Sequence, residues 1–330
     1  MSRPIGVGVA GIGNAGAEHL REFAAHPGAR VVAIIDPDEK RAEAARASLG
    51  LECAIHETLD QALGDDDLDA VVIATPNSLH PAMTAQAALA GRHILLEKPA
   101  GLDNQAIDSM VEVVGTTGVM CQVNMILRWH PMIESIVRMR DEGALGEVHT
   151  VEADFIFGEL EGSEPDWART VANGGSLHLY AGCHAYDQVE WLMGDRVSEV
   201  SAVSSRRSDK WEYDVTASAV VRFARGGIGR ATVTLEAAAP YQFGIRVFGT
   251  RGTVVNDMVC IPAKHGAEYT QHCTQRVDVT YLPFDRVAAD FLQNVSTGND
   301  SHASLENTAD LFRLAIDAET SAQEHRVVTR

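Results

Sequence analysis

The first 125 residues alternate short apolar runs with helix-like segments. Ile5–Ala10 reads as a strand, followed by a glycine-rich turn and a helix over about 15–25. Val31–Ile35 is a second strand ending at Asp36, and an Ala/Arg/Glu-rich helix runs from Asp38 to Leu49. Ala70–Ala74 and His93–Leu96 are further strands, separated by a helix over about 81–90 that stops at Gly91. Another helix, about 104–116, leads to Val119–Val123. Strands alternating with helices call for parallel pairing through right-handed crossovers, which is a doubly wound sheet.

The pattern then changes. Glu147–Phe157, Val197–Val203, Val215–Phe223, Ile228–Leu235, Gln242–Val247 and Val277–Leu282 alternate and favour β-branched residues, as a half-exposed antiparallel sheet does. Arg225-Gly226-Gly227 and Gly249-Thr250-Arg251-Gly252 read as hairpin turns. Helices over about 286–295 and 306–323 follow. Between Gly158 and Gly174 lies a polar loop with Pro165, Asp166, Trp167 and Arg169, and a loop that long in a compact domain is more often functional than idle. The expected fold class is α/β: a doubly wound parallel sheet over residues 1–125, then an α+β domain with a large, mostly antiparallel open sheet over 126–330.

Composition narrows the partners. A length of 330 residues exceeds one ordinary core, consistent with two domains. The net charge of −19 disfavours nucleic acid and anionic membranes, which require a basic surface. Five cysteines form no CxxC and an odd number, pointing to a reduced, cytoplasmic protein with inert buried thiols. The apolar start Ile5–Ala17 is broken by five glycines and lacks a basic leader, so it is not read as a signal peptide. No run approaches the roughly 18 apolar residues of a membrane span. His265 and His272 with Cys273 lack ligand spacing, so no metal is expected.

Gly11-Ile12-Gly13-Asn14-Ala15-Gly16 follows the first strand and opens a helix, and Asp36 stands 20 residues after Gly16 at the end of the second strand. GxGxxG alone is weak, but strand, helix and acid together supply the context of a dinucleotide-binding fingerprint. Gly11 permits the tight turn, Gly13 lets the backbone approach a pyrophosphate, and Gly16 allows helix to pack on strand. The helix N-terminus then offers N–H groups to the phosphates, with Ile12 and Asn14 in the same cradle. Asp36 is expected to accept from the adenosine ribose hydroxyls and repel a 2′-phosphate, which favours NAD. Lys40 and Arg41 lie near enough to keep NADP as an alternative.

Lys98, after Ile94-Leu95-Leu96-Glu97 and before Pro99, is one of four lysines in a chain with 23 arginines. Where arginine handles most surface charge, a lysine after a buried strand is better explained by chemistry. Its compact, tunable ammonium can share a proton. In a chain that cradles a dinucleotide, this suggests a positive charge beside a reacting hydroxyl or carbonyl.

Glu97-Lys98-Pro99 and the fingerprint are joined by Ala74-Thr75-Pro76-Asn77 with His80, and by Leu127-Arg128-Trp129-His130-Pro131. Gly174-Gly175, then Gly182-Cys183-His184-Ala185-Tyr186-Asp187, and Gly249-Thr250-Arg251-Gly252 follow in order. With these motifs the chain resembles, over nearly its whole length, the glucose–fructose oxidoreductase, inositol dehydrogenase and MocA family. The resemblance implies an NAD-binding Rossmann domain over 1–125 and a substrate-binding and oligomerisation domain over 126–330. It implies a cis Pro99 peptide, Lys98 at the nicotinamide–substrate junction and Glu97 near the nicotinamide ribose. Thr75 and Asn77 would line the cofactor cleft, and Arg128 would sit near the cofactor.

His184, in the family's G-x-H-x-x-D setting, is the candidate for proton transfer, since an imidazole with an ordinary pKa of about 6.5 suits that task. Asp187 at i+3 and Tyr180 at i−4 fall on roughly the same helix face. Tyr180 departs from the family, which commonly has Asp or Asn there, and Ile126 stands where asparagine is common. Trp167, Arg169 and Asp187 are candidates for substrate contact, and His178 is a weaker neighbour.

The implied activity is hydride transfer between a sugar, cyclitol or related polyol hydroxyl and the nicotinamide of NAD or NADP, with Lys98, His184 and Tyr180 catalytic. One alternative is glycoside cleavage or elimination with NAD recycled internally; another is a non-catalytic dinucleotide sensor. The expected partners are a small-molecule sugar or polyol and further copies of the chain in a homodimer or homotetramer, in the cytoplasm.

Overall fold

Strands that are apolar at nearly every position must be covered on both faces, which favours parallel pairing between helical layers. Such runs form β1 (Ile5–Ala10), β2 (Ala29–Ile35), β4 (Ala70–Ile73), β5 (His93–Leu96) and β6 (Cys121–Val123), with the shorter β3 (Ala54–His56) beside them. All pair parallel in the order β3-β2-β1-β4-β5-β6, the doubly wound arrangement expected. The computed structural model describes residues 3–158, 164–262, 269–273, 278 and 280–330, with backbone alone at 262 and 269–273.

The chain forms two compact units, one of residues 1–126 and 283–310, the other of 127–282 and 311–330. The first division falls within one residue of the expected 125/126 boundary, and a C-terminal segment, 283–310, groups with the first unit. The reason lies in helix Phe284–Thr297, which buries Val287, Ala288, Phe291 and Leu292 along one face. Phe291 meets Phe23 of helix Asn14–Ala25 edge-on, with centroids 6.0 Å apart, and the Val123 N–H donates to the Ala303 carbonyl at 2.8 Å.

The second unit holds a nine-stranded sheet built from β7 (Val148–Ile156), β8 (Val197–Ser205), β9 (Thr216–Phe223), β10 (Ile228–Thr234), β11 (Gln242–Gly249), β12 (Thr253–Val255), β13 (Met258–Pro262), β14 (Tyr269–Cys273) and β15 (Val328–Thr329). The order is β14-β13-β12-β11-β7-β10-β9-β8-β15, and among the described residues β7 with β10 is its one parallel pair. Both expected hairpin turns join antiparallel neighbours, β9 to β10 and β11 to β12. Helix Cys183–Met193 lies on β7 and β10, so close that a Cβ on Gly229 would stand 2.3 Å from Val189.

The strand expected at Val277–Leu282 is absent at the described positions 278 and 280–282. Asp278 accepts from both the Thr280 N–H and hydroxyl at 2.8 and 2.5 Å, and its carbonyl accepts from the Tyr281 N–H. This local turn competes with a strand. Helix Pro131–Asp141 is an element that the motif reading passed over. Cys121 and Cys183 are buried thiols as expected, but Cys53 and Cys260 are only half-buried, and the Cys273 side chain lies outside the described residues. Among the described residues no helix is long and apolar enough to cross a membrane.

Phe291→Ala would leave a cavity between two packed helices. A loss of about 3–5 kcal/mol is expected, read as a lower midpoint of urea unfolding; an unchanged midpoint would show that segment 283–310 contributes little to the first unit's core.

Candidate active site

In a parallel sheet every strand ends at the same edge. Since β2, β1, β4 and β5 are consecutive neighbours, the loops leaving them converge there. This edge brings together Gly11, Ile12, Gly13, Asn14, Gly16, Asp36, Thr75, Asn77, Glu97 and Lys98 within the first unit. Gly11 has φ +85°, and a Cβ there would stand 2.5 Å from the Ala74 carbonyl oxygen. A Cβ on Gly16 would stand 1.8 Å from the Gly11 carbonyl oxygen, whereas one on Gly13 would meet nothing within 4 Å. The turn is thus closed on its inner side and open where a pyrophosphate would approach.

The helix behind this turn starts at Gly13 with no side-chain cap and no acid in its first turn, which suits an anion. Asp36, 4% exposed, accepts from the Ile12 N–H at 2.8 Å through one oxygen and from the Asp38 N–H at 2.9 Å through the other. It braces the turn while its remaining lone pairs can accept from a diol. The Arg41 Nε lies 3.9 Å from Asp36. These features fit a dinucleotide with unmodified ribose hydroxyls.

Lys98 is half-buried, between the buried Glu97 and Pro99, and its peptide to Pro99 is cis. Glu97 accepts from Asn124 at 2.6 Å and faces the His19 Nε2 at 2.8 Å. Burial alone would raise the Glu97 pKa, but His19, Lys98 and Asn124 outweigh it and hold the carboxyl at about 2. His80, fully buried, places its ring nitrogens 2.7 Å from the Pro99 carbonyl and 3.0 Å from that of Thr75. Burial lowers its pKa, so at neutral pH the ring donates to one of the two carbonyls. It links the segment after Lys98 to the loop after β4. The Thr75 hydroxyl contacts the Met83 sulfur at 3.4 Å, and Asn77 is buried.

In the second unit, His184 is buried on helix Cys183–Met193 and stacks on Phe155 of β7, with centroids 4.8 Å apart and planes 18° off parallel. Asp187, expected to contact substrate, is 1% exposed, and its carboxylate takes the Arg128 Nε at 2.9 Å and Nη2 at 2.5 Å, and Gln188 at 3.2 Å. Arg128 also lies over the Trp191 ring at 4.3 Å. The guanidinium expected to serve the cofactor and the carboxylate expected to serve the substrate are engaged with each other. Burial raises the Asp187 pKa while Arg128 opposes the rise.

The residues before His184, His178–Gly182, form a π-helical turn, a local widening frequent at functional sites. Tyr180 in this turn donates its hydroxyl proton to Glu164, and its ring meets Trp167 and Trp211 at centroid distances of 6.4 and 6.0 Å. Arg169 pairs with Asp166 at 3.3 Å and lies 6.0 Å from the Trp211 ring. His178 contacts the Tyr186 hydroxyl at 2.6 Å, and burial lowers its pKa to about 4, so it is a neutral packing group.

Sequence reasoning missed His19, Asn124, Phe155 and Glu164. Only His19 left a signal, since Gly16, His19, Leu20 and Phe23 form one buried helical stripe. Among the described residues no cluster of three or more His, Cys, Asp or Glu could hold a metal; His265 and the side chains of His272 and Cys273 lie outside them.

The depressed Glu97 pKa has a thermodynamic consequence. A carboxyl whose folded pKa lies near 2, below its ordinary 4.5, contributes stability that is full above pH 4.5 and fades as pH falls toward 2. The stability difference between the wild-type protein and Glu97→Gln should therefore shrink between pH 5 and 2, measured by urea unfolding across that range. A pH-independent difference would contradict the charge pairing.

Residues 5–125 match the model described as an oxidoreductase family with an NAD-binding Rossmann fold, and residues 133–255 match the GFO/IDH/MocA C-terminal domain. The scyllo-inositol 2-dehydrogenase (NAD(+)) of Bacillus subtilis is 30% identical over 261 residues, 77% of this chain and 74% of its own. The 2,7-anhydro-N-acetylneuraminate hydratase of Mediterraneibacter gnavus is 29% identical over 199 residues, 60% of this chain and 52% of its own. The crystal structure of GenD2 from gentamicin A biosynthesis in complex with NAD superposes with a TM-score of 0.85 at 26% identity, covering 100% of this chain and 97% of that one. Two family domains in sequence and a glycine turn shaped for a dinucleotide lead to one assignment: the chain belongs to the glucose–fructose oxidoreductase, inositol dehydrogenase and MocA family of NAD-binding oxidoreductases.

Proposed function

We propose that this enzyme interconverts a secondary hydroxyl of a sugar, cyclitol or related polyol with the corresponding ketone, using NAD. The observation that carries the reading is Lys98, placed at the end of the buried β5 on the edge where the glycine turn and Asp36 also lie. Relatives named as inositol dehydrogenases support the substrate class.

The glycine turn and the uncapped helix start would receive the pyrophosphate, Asp36 the adenosine ribose, and Glu97 with Thr75 and Asn77 the nicotinamide side. Bound NAD supplies the two-electron oxidant for the carbinol carbon. The Lys98 ammonium stabilises negative charge developing on the substrate oxygen, an electrostatic effect strengthened by half-burial. His184 accepts the hydroxyl proton, its ring plane fixed by Phe155. Trp167 and Arg169 contact the substrate from their loop. Arg128 and Asp187 pair with each other and hold the helix that carries His184. With Asp36 buried against Ile12, NAD is preferred to NADP.

A second reading rests on the hydratase relative. An elimination or hydration in which NAD is reduced and reoxidised within each turnover would use the same groups and leave no net NADH.

Incubating the enzyme with NAD and a panel of inositols and sugars should generate NADH absorbance, and Lys98→Ala or His184→Ala should lower kcat by about 10²- to 10⁴-fold. Full turnover in either variant would sink that residue's role. Product formation without NADH would favour the elimination reading, and NAD binding with no turnover the sensor reading.

The outer face of the nine-stranded sheet supports self-association of this cytoplasmic enzyme. It exposes Val203, Val220, Ile228 and Val255 around a charge network in which Arg230 pairs with Glu152 and Asp154 at 3.2 and 3.0 Å. Light scattering should report a homodimer or homotetramer, and Val220→Arg on this face should lower the mass. A monomeric wild type would overturn this part of the proposal.

A further inference from the structure

Glu164 comes from the loop after β7 and Tyr180 from the π-helical turn before His184, yet the two meet through the phenolic hydroxyl. The contact is held in a fixed frame. The Tyr180 ring lies edge-on to Trp167, with planes 79° apart, and tilted 54° to Trp211. The Glu164 loop is tied to the segment that carries Trp211: the Tyr213 hydroxyl donates to the Ala168 carbonyl at 2.6 Å, the Glu212 N–H to the Arg169 carbonyl at 2.9 Å, and the Val171 N–H to the Glu212 carboxylate at 2.8 Å. Trp167, Tyr180, Glu164 and Arg169 are all half-buried, so the group is packed yet reachable.

We infer that Glu164 is a positioning residue for the substrate: by accepting the Tyr180 hydroxyl's hydrogen bond it leaves the phenolic oxygen to act as an acceptor for one donor hydroxyl of the polyol ring. The inference rests on the dehydrogenase reading above and deepens it. A tyrosine hydroxyl has one hydrogen and two lone pairs, so once the hydrogen is committed to a carboxylate the oxygen can only accept. A charge-assisted bond of this kind is stronger than a neutral one and polarises the oxygen, which makes it a better acceptor. Burial and the neighbouring Glu164 raise the Tyr180 pKa well above its ordinary 10, so Tyr180 keeps its proton near neutrality and orients the substrate without acting as an acid. The carboxylate common at helix position 180 in the family is thus supplied here from a loop, one phenol ring further out. The ligand class is a ring bearing a free hydroxyl at that position, and its O-methyl or deoxy analogue would lose the contact.

The test uses the full-length enzyme, NAD and the polyol giving the fastest NADH formation, with Glu164→Gln, Glu164→Ala, Tyr180→Phe and the double variant Glu164→Ala/Tyr180→Phe. Each single variant is expected to lower kcat/KM by roughly 10- to 100-fold, with Glu164→Gln retaining the wild-type melting temperature. The double variant is expected to be no worse than the weaker single one, because both remove the same contact. Wild-type kcat and KM in both Glu164 variants, or losses that multiply in the double variant, would overturn the inference while leaving the dehydrogenase reading intact. If no polyol yields NADH, that reading fails, and calorimetric binding of the same polyols then decides the inference separately. Weaker binding to Glu164→Gln than to wild type upholds it; equal binding, or none to the wild type, overturns it.

Discussion

A parallel sheet has no choice about where its strands end. Each strand must be re-entered from the far side through a crossover, so every carboxyl end faces one edge and every loop that follows departs there. In the first unit this constraint gathers the glycine turn, Asp36, Thr75 and Lys98, although they are spread over almost 90 residues of sequence. Side chains then lock the edge. Glu97 cannot stay ionised in a buried position without partners. It takes one from the helix behind the glycine turn, His19, and another from the end of β6, Asn124. One carboxylate therefore ties the cofactor turn to the strand that presents Lys98. His80 adds a second tie, between Thr75 and Pro99.

The second unit meets a different demand with the same means. A helix packed against β7 and β10 leaves little room around Asp187, one turn beyond His184. A carboxylate there is tolerable only with a good partner, and the planar guanidinium of Arg128 provides a two-point fork that also lies on Trp191. The pair specifies how the helix sits and hence how the His184 ring stacks on Phe155. The Arg128–Asp187 pair thus accounts for placement of the helix that carries His184.

What was legible in the sequence follows from how each signal arises. β1 and β5 could be bounded to the residue because each is a short, largely apolar run that ends at glycine or at a charged motif. β3 is three residues long with half-exposed side chains, and so carried no apolar run. Helix Pro131–Asp141 carries readable signals, a proline at its first position and Met132, Ile133 and Ile136 on one face, but its start overlaps the Leu127–Pro131 motif. The glycine turn was legible because it is a local device. Arg128 with Asp187, and Tyr180 with Glu164, join residues 59 and 16 positions apart, and no local pattern encodes which polar group a buried charge will meet.

The tyrosine at position 180 shows how such a site can change without losing its logic. A carboxylate on the helix itself would stand beside two tryptophans and need its own desolvation to be offset. A phenol at that position is compatible with the aromatic surroundings and carries its polar end to the loop, where a half-buried Glu164 keeps access to water. The carboxylate is moved to the loop, and the phenolic oxygen beside it stays neutral. An anion placed directly on a substrate hydroxyl can draw its proton, whereas a neutral oxygen backed by an anion holds the hydroxyl without competing for it. In the proposed reaction such an arrangement would leave proton removal to His184, a sharper division of roles than an aspartate at position 180 would give.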